Sequence, residues 1–556
     1  MRMQYTAFVL GSFFAEKRWY WLVFCTAAFF GLLVSMPHIL HVLDGRYQGI
    51  PVHFNSDEFS YLPRVQEALL GRSHRLGTAV TGGDEELPEL QTAFIERVYG
   101  ELFRPFRVNA ATVLMWMDFI IPFLLFFVLL GFCRACGFSR KQAFVIAVLF
   151  CFMELYNLGR PIHQRTSFLL TLLAMWGVLA GLQYRLLWGV MGGALMGLLV
   201  DVYFWSWTAA WAWWGILTLL YFLNAVHSRA ERWKHVWRIL LFGGVGAVIA
   251  VPIFLQLMRA SAHSLYTEAF FRSGIGHTQS PESWPWTVLF LCMALGVSVG
   301  WCRRIYTTAV TCTVLTAFVI FNQHLLHGIR FIFVSHYLFF LVFAACVAVT
   351  AAARRREWFS RVVLCAGCVF LFGIAYDNRA VIAQWRIDDT DFGEQHLASL
   401  LSLLEAFDQS VVLSDPLTSS LVASHTRHDV LYTHYIQHEL RSHRELAERY
   451  CLTQMPLDVP DRRPEDEVVL VYGDAYDAIF DMQGKERVRQ DELDLVTGTC
   501  ADIEERLEEY LERYRVKYVV WDEKRQPGWD MRRLGTVELV KQGEGWSVWV
   551  HDTGNR

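Results

Sequence analysis

Two neighbouring carboxylates, Asp57 and Glu58, stand in the stretch PVHFNSDEFSYLPRVQEALLGR, with Tyr61 and Arg64 close behind. A placed carboxylate can take the proton of an attacking hydroxyl or help hold a divalent ion. A second polar stretch, NLGRPIHQRTSF, packs Arg160, His163 and Arg165 into one turn. Arginine forks match phosphate oxygens, although cations near a membrane also meet lipid headgroups. A third, VDVYFWSWTAAWAWW, sets Asp201 and Tyr203 among aromatics that also suit an interfacial belt. A fourth, YTEAFFRSGIGHTQSPESWP, offers Glu268, Arg272 and His277. A fifth, FNQHLLHGIRFIFVSHY, offers Asn322, Gln323, His324, His327, Arg330, His336 and Tyr337. Each stretch alone has an ordinary reading. Asp57 and Glu58, for instance, serve equally as first-turn acids favoured by a helix dipole.

The elements that must position these residues are membrane helices. The chain of 556 residues is 54% hydrophobic and only 19% charged, against about 25% charged in soluble domains. The surplus lies in apolar runs up to about residue 376. A span takes about 20 apolar residues, and eleven candidates follow: 19–40, 112–131, 142–158, 167–183, 186–202, 205–223, 239–257, 285–301, 305–321, 332–352 and 360–376. The long run 186–223 is divided near Asp201, because one helix of that length would overshoot a bilayer. No small-residue cleavage site follows the first run, so it reads as a retained helix. No basic, aromatic-interleaved tract points to nucleic acid.

Lysine and arginine mark cytoplasmic loops. With the N-terminus inside, the inside segments carry Arg134, Arg140, Lys141, Arg229, Arg232, Lys234, Arg238, Arg354, Arg355 and Arg356. The short outside loops hold Arg160, Arg165, Arg259, Arg272 and Arg330. This bias puts the first loop (41–110), the other four polar stretches and the C-terminal part on the outer face. The expected organisation is a membrane module, 1–376, followed by an extracytoplasmic domain, 377–556. Within the first loop Phe59, Leu62, Val65, Leu69 and Leu70 recur at helical spacing, which predicts an amphipathic helix lying in the interface. The acidic stretch TGGDEELPEL reads as a solvated loop.

Together the motifs DEFSYLPR, RPIHQRTSF, NQHLLHG and HY, in that order and all outside, resemble those of the GT-C superfamily of membrane glycosyltransferases. That superfamily includes protein mannosyltransferases, aminoarabinose transferases and oligosaccharyltransferases; the nearest likeness is to uncharacterised bacterial members. The resemblance implies a polytopic helical membrane protein of about eleven spans with a soluble C-terminal α/β domain. It implies transfer of a sugar, with inversion, from a polyprenyl-phosphate-linked donor to a glycan, lipid or protein acceptor at the outer face of a bacterial inner membrane. Asp57 would be the general base, Glu58 its partner or a metal ligand, and the helix after them a cradle for the prenyl chain. Arg160, Arg165, Arg272 and Arg330, with His163, would bind the lipid phosphate. Tyr61, Arg64, Asp201, Tyr203, Glu268, Asn322, Gln323, His336 and Tyr337 would complete the pocket. Asp57 or Glu58 with His336 could hold a divalent metal of unspecified identity, but no spacing matches a dedicated zinc cage. His163 and Arg165 stand where the family pattern has other polar residues, which leaves their roles open. Two other classes remain: a flippase or transporter of lipid-linked sugars, whose acids would sit at mid-membrane, and a non-catalytic envelope-assembly protein.

Beyond residue 377 strand-like and helix-like pieces alternate: SVVLSD, EVVLVYG, DIEERLEEYLERYR and VKYVVWDE, then a terminal hairpin. Cys451 and Cys500 are its only cysteines, and in an oxidising compartment they could pair. The CRAC stretch (Cys133, Cys136) on an inside loop has no second pair and reads as incidental; Cys365 and Cys368 read as packing residues.

Overall fold

A computed structural model describes residues 2–53, 56–72, 92–226, 231–272, 275–277, 279–281, 283–301, 305–331, 333–353, 357–383, 389–433, 436, 439–457 and 482–551. The protein is a polytopic helical membrane protein with a C-terminal α/β domain. Each of the eleven apolar runs is helical. They begin with α1 (Arg2–Leu43). Two helices of the first loop follow, α2 (Ser56–Leu69) and α3 (Phe94–Phe103). Next come α4 (Ala110–Ala135), α5 (Arg140–Met153), the short α6 (Leu155–Gly159), α7 (His163–Gln183), α8 (Leu186–Leu198), α9 (Phe204–Val226) and α10 (Glu231–Ser261). The bundle continues through α11 (Tyr266–Arg272), α12 (Trp284–Trp301), α13 (Ile305–Phe321), α14 (His324–His327), α15 (Leu338–Ala352) and α16 (Trp358–Ala383). Among the described residues seven helices are long and apolar enough to cross a membrane, and the segments Leu186–Asp201, Trp284–Val299 and Thr308–Phe321 are shorter.

Local chemistry sets the boundaries. Asn109 caps α4 by accepting from the Thr112 amide at 2.9 Å. Ser139 and Gln142 form a capping box at the start of α5. The predicted division near Asp201 is a 3-10 turn, Leu199–Asp201, between α8 and α9. Helices α7 and α8 lie backbone to backbone: a Cβ on Gly181 would collide with the Gly189 backbone. Close approach at small residues is how membrane helices gain packing without a hydrophobic driving force.

Helix α2 departs from expectation. It packs on α3 and α4 on one side and under α18 (Pro416–His425) of the soluble domain on the other. Every residue from Leu62 to Leu69 is buried, so the helix is an internal strut and not a lipid-facing cradle. The stretch TGGDEELPEL lies outside the described residues.

In the soluble domain β3 (Val411–Leu413), β4 (Asp429–Val430), β5 (Val516–Asp522), β6 (Val537–Gly543) and β7 (Trp546–His551) form one sheet, ordered β4-β3-β5-β7-β6. The first three run parallel, and β7 and β6 are antiparallel additions. A separate ribbon pairs β1 (Ile275–His277) with β2 (Ile329–Phe331). The stretch EVVLVYG lies outside the described residues. Helices α19 (His443–Gln454) and α20 (Met482–Glu505) are joined by a Cys451–Cys500 disulfide. Cys133 and Cys136 are buried free thiols, whereas Cys365 and Cys368 are exposed on α16 and do not pack in the core.

The domain is latched onto the first loop. Ile50 is 1% exposed within the domain's own core. Gln395 brackets it, accepting from the Gln48 amide at 2.7 Å and donating to the Ile50 carbonyl. Arg72 donates to Asp429 at 2.9 Å.

Candidate active site at the rim of the helix bundle

Asp57 and Glu58 open α2, where the helix dipole favours carboxylates. Successive helical residues do not face the same way, and the pair divides. Asp57 turns toward the bend before α7. One of its oxygens, Oδ2, accepts from Arg160 Nε at 2.9 Å and Nη2 at 2.6 Å. Both side chains keep a path to solvent, 30% exposed for Asp57 and 20% for Arg160. The bend is strained: Ile162, β-branched, holds φ at 56°. It presents Arg160 and His163 together.

Glu58 turns inward and is buried. Its Oε1 lies 3.9 Å from His38 Nε2, which in turn lies 3.1 Å from Asp118 Oδ2. Burial pushes the Glu58 carboxyl up to about 7, against the pull of His38 and His53.

His163 is fully held. Nε2 meets Glu96 Oε1 at 2.9 Å and Nδ1 meets the Val202 carbonyl at 3.0 Å. Its ring sits between Tyr61 and Tyr203, with centroids 4.9 and 5.4 Å away. Arg64 Nε also reaches Glu96, at 2.9 Å. Burial would raise this carboxyl, but Arg64 and His163 hold it down at about 2. The Tyr203 hydroxyl meets His336 Nδ1 at 2.5 Å, and Trp205 and Phe333 flank that imidazole. Behind it a cavity of about 10 Å³, lined in part by Gln164, Ser206, His336 and Tyr337, has room for one water.

The other expected residues lie elsewhere. Arg165 is buried in an ion pair with Asp118 and donates to the Leu158 carbonyl at 3.1 Å, so it buttresses helices and does not present a phosphate fork. His163 likewise supports the wall. Arg272 reaches the carbonyls of Glu439 and Arg441 at 2.9 and 2.8 Å, and Glu268 accepts from the His443 amide at 2.5 Å; both bind the soluble domain. Asn322 accepts from Thr287 at 2.7 Å, and Gln323 donates to the Tyr337 hydroxyl at 3.0 Å. The Asp201 carbonyl accepts from Thr92. The Arg330 and His277 side chains lie outside the described residues. A metal does not fit the expected set: Asp57 is held by Arg160, Glu58 turns away, and His336 is engaged by Tyr203. Among the described residues no group of three His, Cys, Asp or Glu side chains could hold a metal ion.

Glu96 was not among the sequence candidates. Its signal was there: it sits on the same face as Tyr99 and Phe103, a carboxylate in an apolar stripe, and such a group needs a buried partner.

No protein-family model matches the chain, and no curated protein matches it. Among solved structures it is similar to the oligosaccharyltransferase of Archaeoglobus fulgidus tethered to an acceptor peptide, with 11% identity and a TM-score of 0.49, over 92% of this chain and 70% of that one. The archaeal oligosaccharyltransferase AglB from Archaeoglobus fulgidus, in complex with an inhibitory peptide and a dolichol-phosphate, gives 11% identity and a TM-score of 0.48 over the same shares. ArnT from Cupriavidus metallidurans bound to undecaprenyl phosphate gives 12% identity and a TM-score of 0.42, over 96% of this chain and 98% of that one.

Proposed function

We propose that the protein is a glycosyltransferase that moves a sugar from a polyprenyl-phosphate-linked donor to an acceptor hydroxyl at the outer face of a bacterial inner membrane. The observation that carries this reading is the partly exposed Asp57–Arg160 pair, set against the wall of Tyr61, His163, Tyr203 and His336. An arginine fork and a carboxylate on one oxygen's reach are the two charges that such a transfer needs. The lipid phosphate docks on Arg160 and draws it from Asp57. The released carboxylate takes the proton of the acceptor hydroxyl as its oxygen attacks the anomeric carbon. The new carbon–oxygen bond forms as the bond to phosphate breaks. The electron pair leaves with the polyprenyl phosphate, whose growing charge Arg160 stabilises. Attack opposite the leaving group inverts the anomeric centre. Glu96 and Arg64 act only by holding His163 and the wall.

Turnover of a radiolabelled polyprenyl-phosphate sugar by the purified full chain tests the reading. Asp57→Asn is expected to lower the rate at saturating donor by about 100-fold or more. Arg160→Ala is expected to raise the donor KM as well. Undiminished turnover by well-folded Asp57→Asn overturns the assignment.

A further inference from the structure

Away from the bundle rim, the first loop and the soluble domain enclose a second group of charges. It lies at the carboxyl ends of β3 and β5. From β3 the chain moves to β4 on one side, and from β5 it crosses to β6 at the far edge and returns as β7 on the other. The crevice between two such strands is where open α/β sheets take ligands. Asp415 ends β3 and caps α18 through Oδ1, which accepts from the Leu417 and Thr418 amides at 3.1 and 3.2 Å. Asp522 ends β5, and its Oδ1 accepts from His396 at 2.9 Å and from the Lys524 and Arg525 amides at 3.1 and 3.2 Å. The other oxygen of each, Oδ2, is buried with no hydrogen-bond partner among the described residues. The two residues are 2% and 1% exposed.

Arg525 stands between them. Its Nη2 reaches Glu394 at 2.9 Å, while Nη1 and Nε stay 3.9 and 3.8 Å from Asp415 and Asp522, too far for a hydrogen bond. From the first loop His53 sets Nδ1 3.6 Å from Glu394 Oε2. From α18 His425 gives Nδ1 to the Leu421 carbonyl at 3.1 Å, and burial holds this histidine down at about 4, hence neutral. The His425 imidazole thus carries its proton on Nδ1, and among the described residues its Nε2, like Nε2 of His53, is buried without a hydrogen-bond partner.

Among the described residues Asp415 Oδ2, Asp522 Oδ2 and His425 Nε2 are open acceptors, and Arg525 Nη1 and the Thr418 hydroxyl are open donors. Three carboxyl groups, Glu394, Asp415 and Asp522, surround one guanidinium, with the imidazoles of His53 and His396 against Glu394 and Asp522, so acids outnumber the one permanent positive charge. Buried charge without a counter-charge is costly. A phosphate or sulfate is repelled here, and a neutral polyol leaves the charge uncompensated. An ammonium group supplies three donors and the missing positive charge together.

We propose that this junction is a binding site for a primary ammonium group, the chemistry shared by an amino sugar and an ethanolamine headgroup. Binding is read by calorimetry on the purified full chain, with glucosamine and ethanolamine as probes and N-acetylglucosamine as the acylated control. Asp415→Asn and Asp522→Asn keep the Oδ1 oxygens that cap and brace, and replace only the unpartnered Oδ2 by a donor. Either amine is expected to bind while the acylated sugar does not, and each variant is expected to weaken that binding at least tenfold at an unchanged melting temperature. Binding of glucosamine alone identifies an amino sugar; binding of ethanolamine alone identifies a headgroup. Failure of both amines, equal binding of the acylated sugar, or undiminished binding by both variants means the crevice holds only water, and overturns the proposal. The same titration on Asp57→Asn separates this site from the transfer reading, since amine binding there should match the wild type.

Discussion

Asp57 and Glu58 differ in everything except their place in the chain. One is partly exposed and paired with Arg160; the other is buried with His38 and Asp118 beyond it. Their responses to pH follow. Glu58 titrates near 4.5 when free and at about 7 in the fold. Between those values the unfolded chain has released a proton that the folded chain keeps, so this group's contribution falls as pH rises through the window. Glu58→Gln removes that loss, which by the standard relation is about 3 kcal/mol. Its melting temperature relative to wild type should therefore be higher at pH 8 than at pH 5; an equal difference at both refutes the assignment. Glu96 carries the opposite sign. Held at about 2, it stabilises the fold above its free value of 4.5, and that contribution is lost as pH falls toward 2. Glu96→Gln deprives buried Arg64 of its carboxylate, at an expected cost of about 3–5 kcal/mol in denaturant unfolding. Asp57 and Arg160, singled out in the sequence by residue type alone, meet in the fold as an ion pair. Arg165 was misread because it lies two residues past His163, roughly 200° further around α7, and so points at Asp118 and not at the rim.

At the scale of elements, apolar period and turn chemistry made most helices legible. The period of Leu62, Val65 and Leu69 marks α2, Asn109 marks the start of α4, and VKYVVWD marks β5. What lies over α2 was not legible. Gln66 and Glu67 lie off its apolar stripe, yet both are buried, and Gln66 accepts from the Ala110 amide at 3.1 Å. A polar residue with a long-range partner looks, in sequence, like one facing water. The same helix depends on close approach to α3, where a Cβ on Gly100 would lie 2.6 Å from the Ala68 carbonyl carbon. Gly100→Val should cost about 1–3 kcal/mol and displace Tyr61 and Arg64, lowering transfer; full activity at native stability would show that α2 tolerates the shift. The Cys451–Cys500 bridge ties α19 to α20 across 49 residues. In the chain-entropy account a loop of that length is worth about 4 kcal/mol. Cys451→Ser should therefore lower the denaturant midpoint of the soluble domain by a matching amount, and wild type under reductant should behave the same.

For the whole molecule, the decisive geometry is that Asp57 and Arg160, the first loop and the soluble domain share one end of the bundle. Helix α7 begins at His163 beside the site and runs to Gln183, a rise of roughly 30 Å at 1.5 Å per residue. Arg185 therefore lies at the far end, and Asp408 of the soluble domain at the near one; both are exposed. The proposed orientation, which rests on the arginine and lysine bias, puts the far end in the cytoplasm, the Cys451–Cys500 pair in an oxidising compartment, and Asp57 and Arg160 at the outer leaflet. These assignments rise or fall together. In intact cells a membrane-impermeant maleimide should react with Asp408→Cys and spare Arg185→Cys, with wild type as background for the cysteines of α16. After the cells are opened, both should react. The reverse pattern would place the acidic pair in the cytoplasm, where a disulfide does not persist and a donor presented from the outer leaflet is out of reach. The transfer chemistry at Asp57 would then need a donor on the opposite leaflet, while the amine site, which depends only on the soluble domain and the first loop, would keep its geometry and change its compartment.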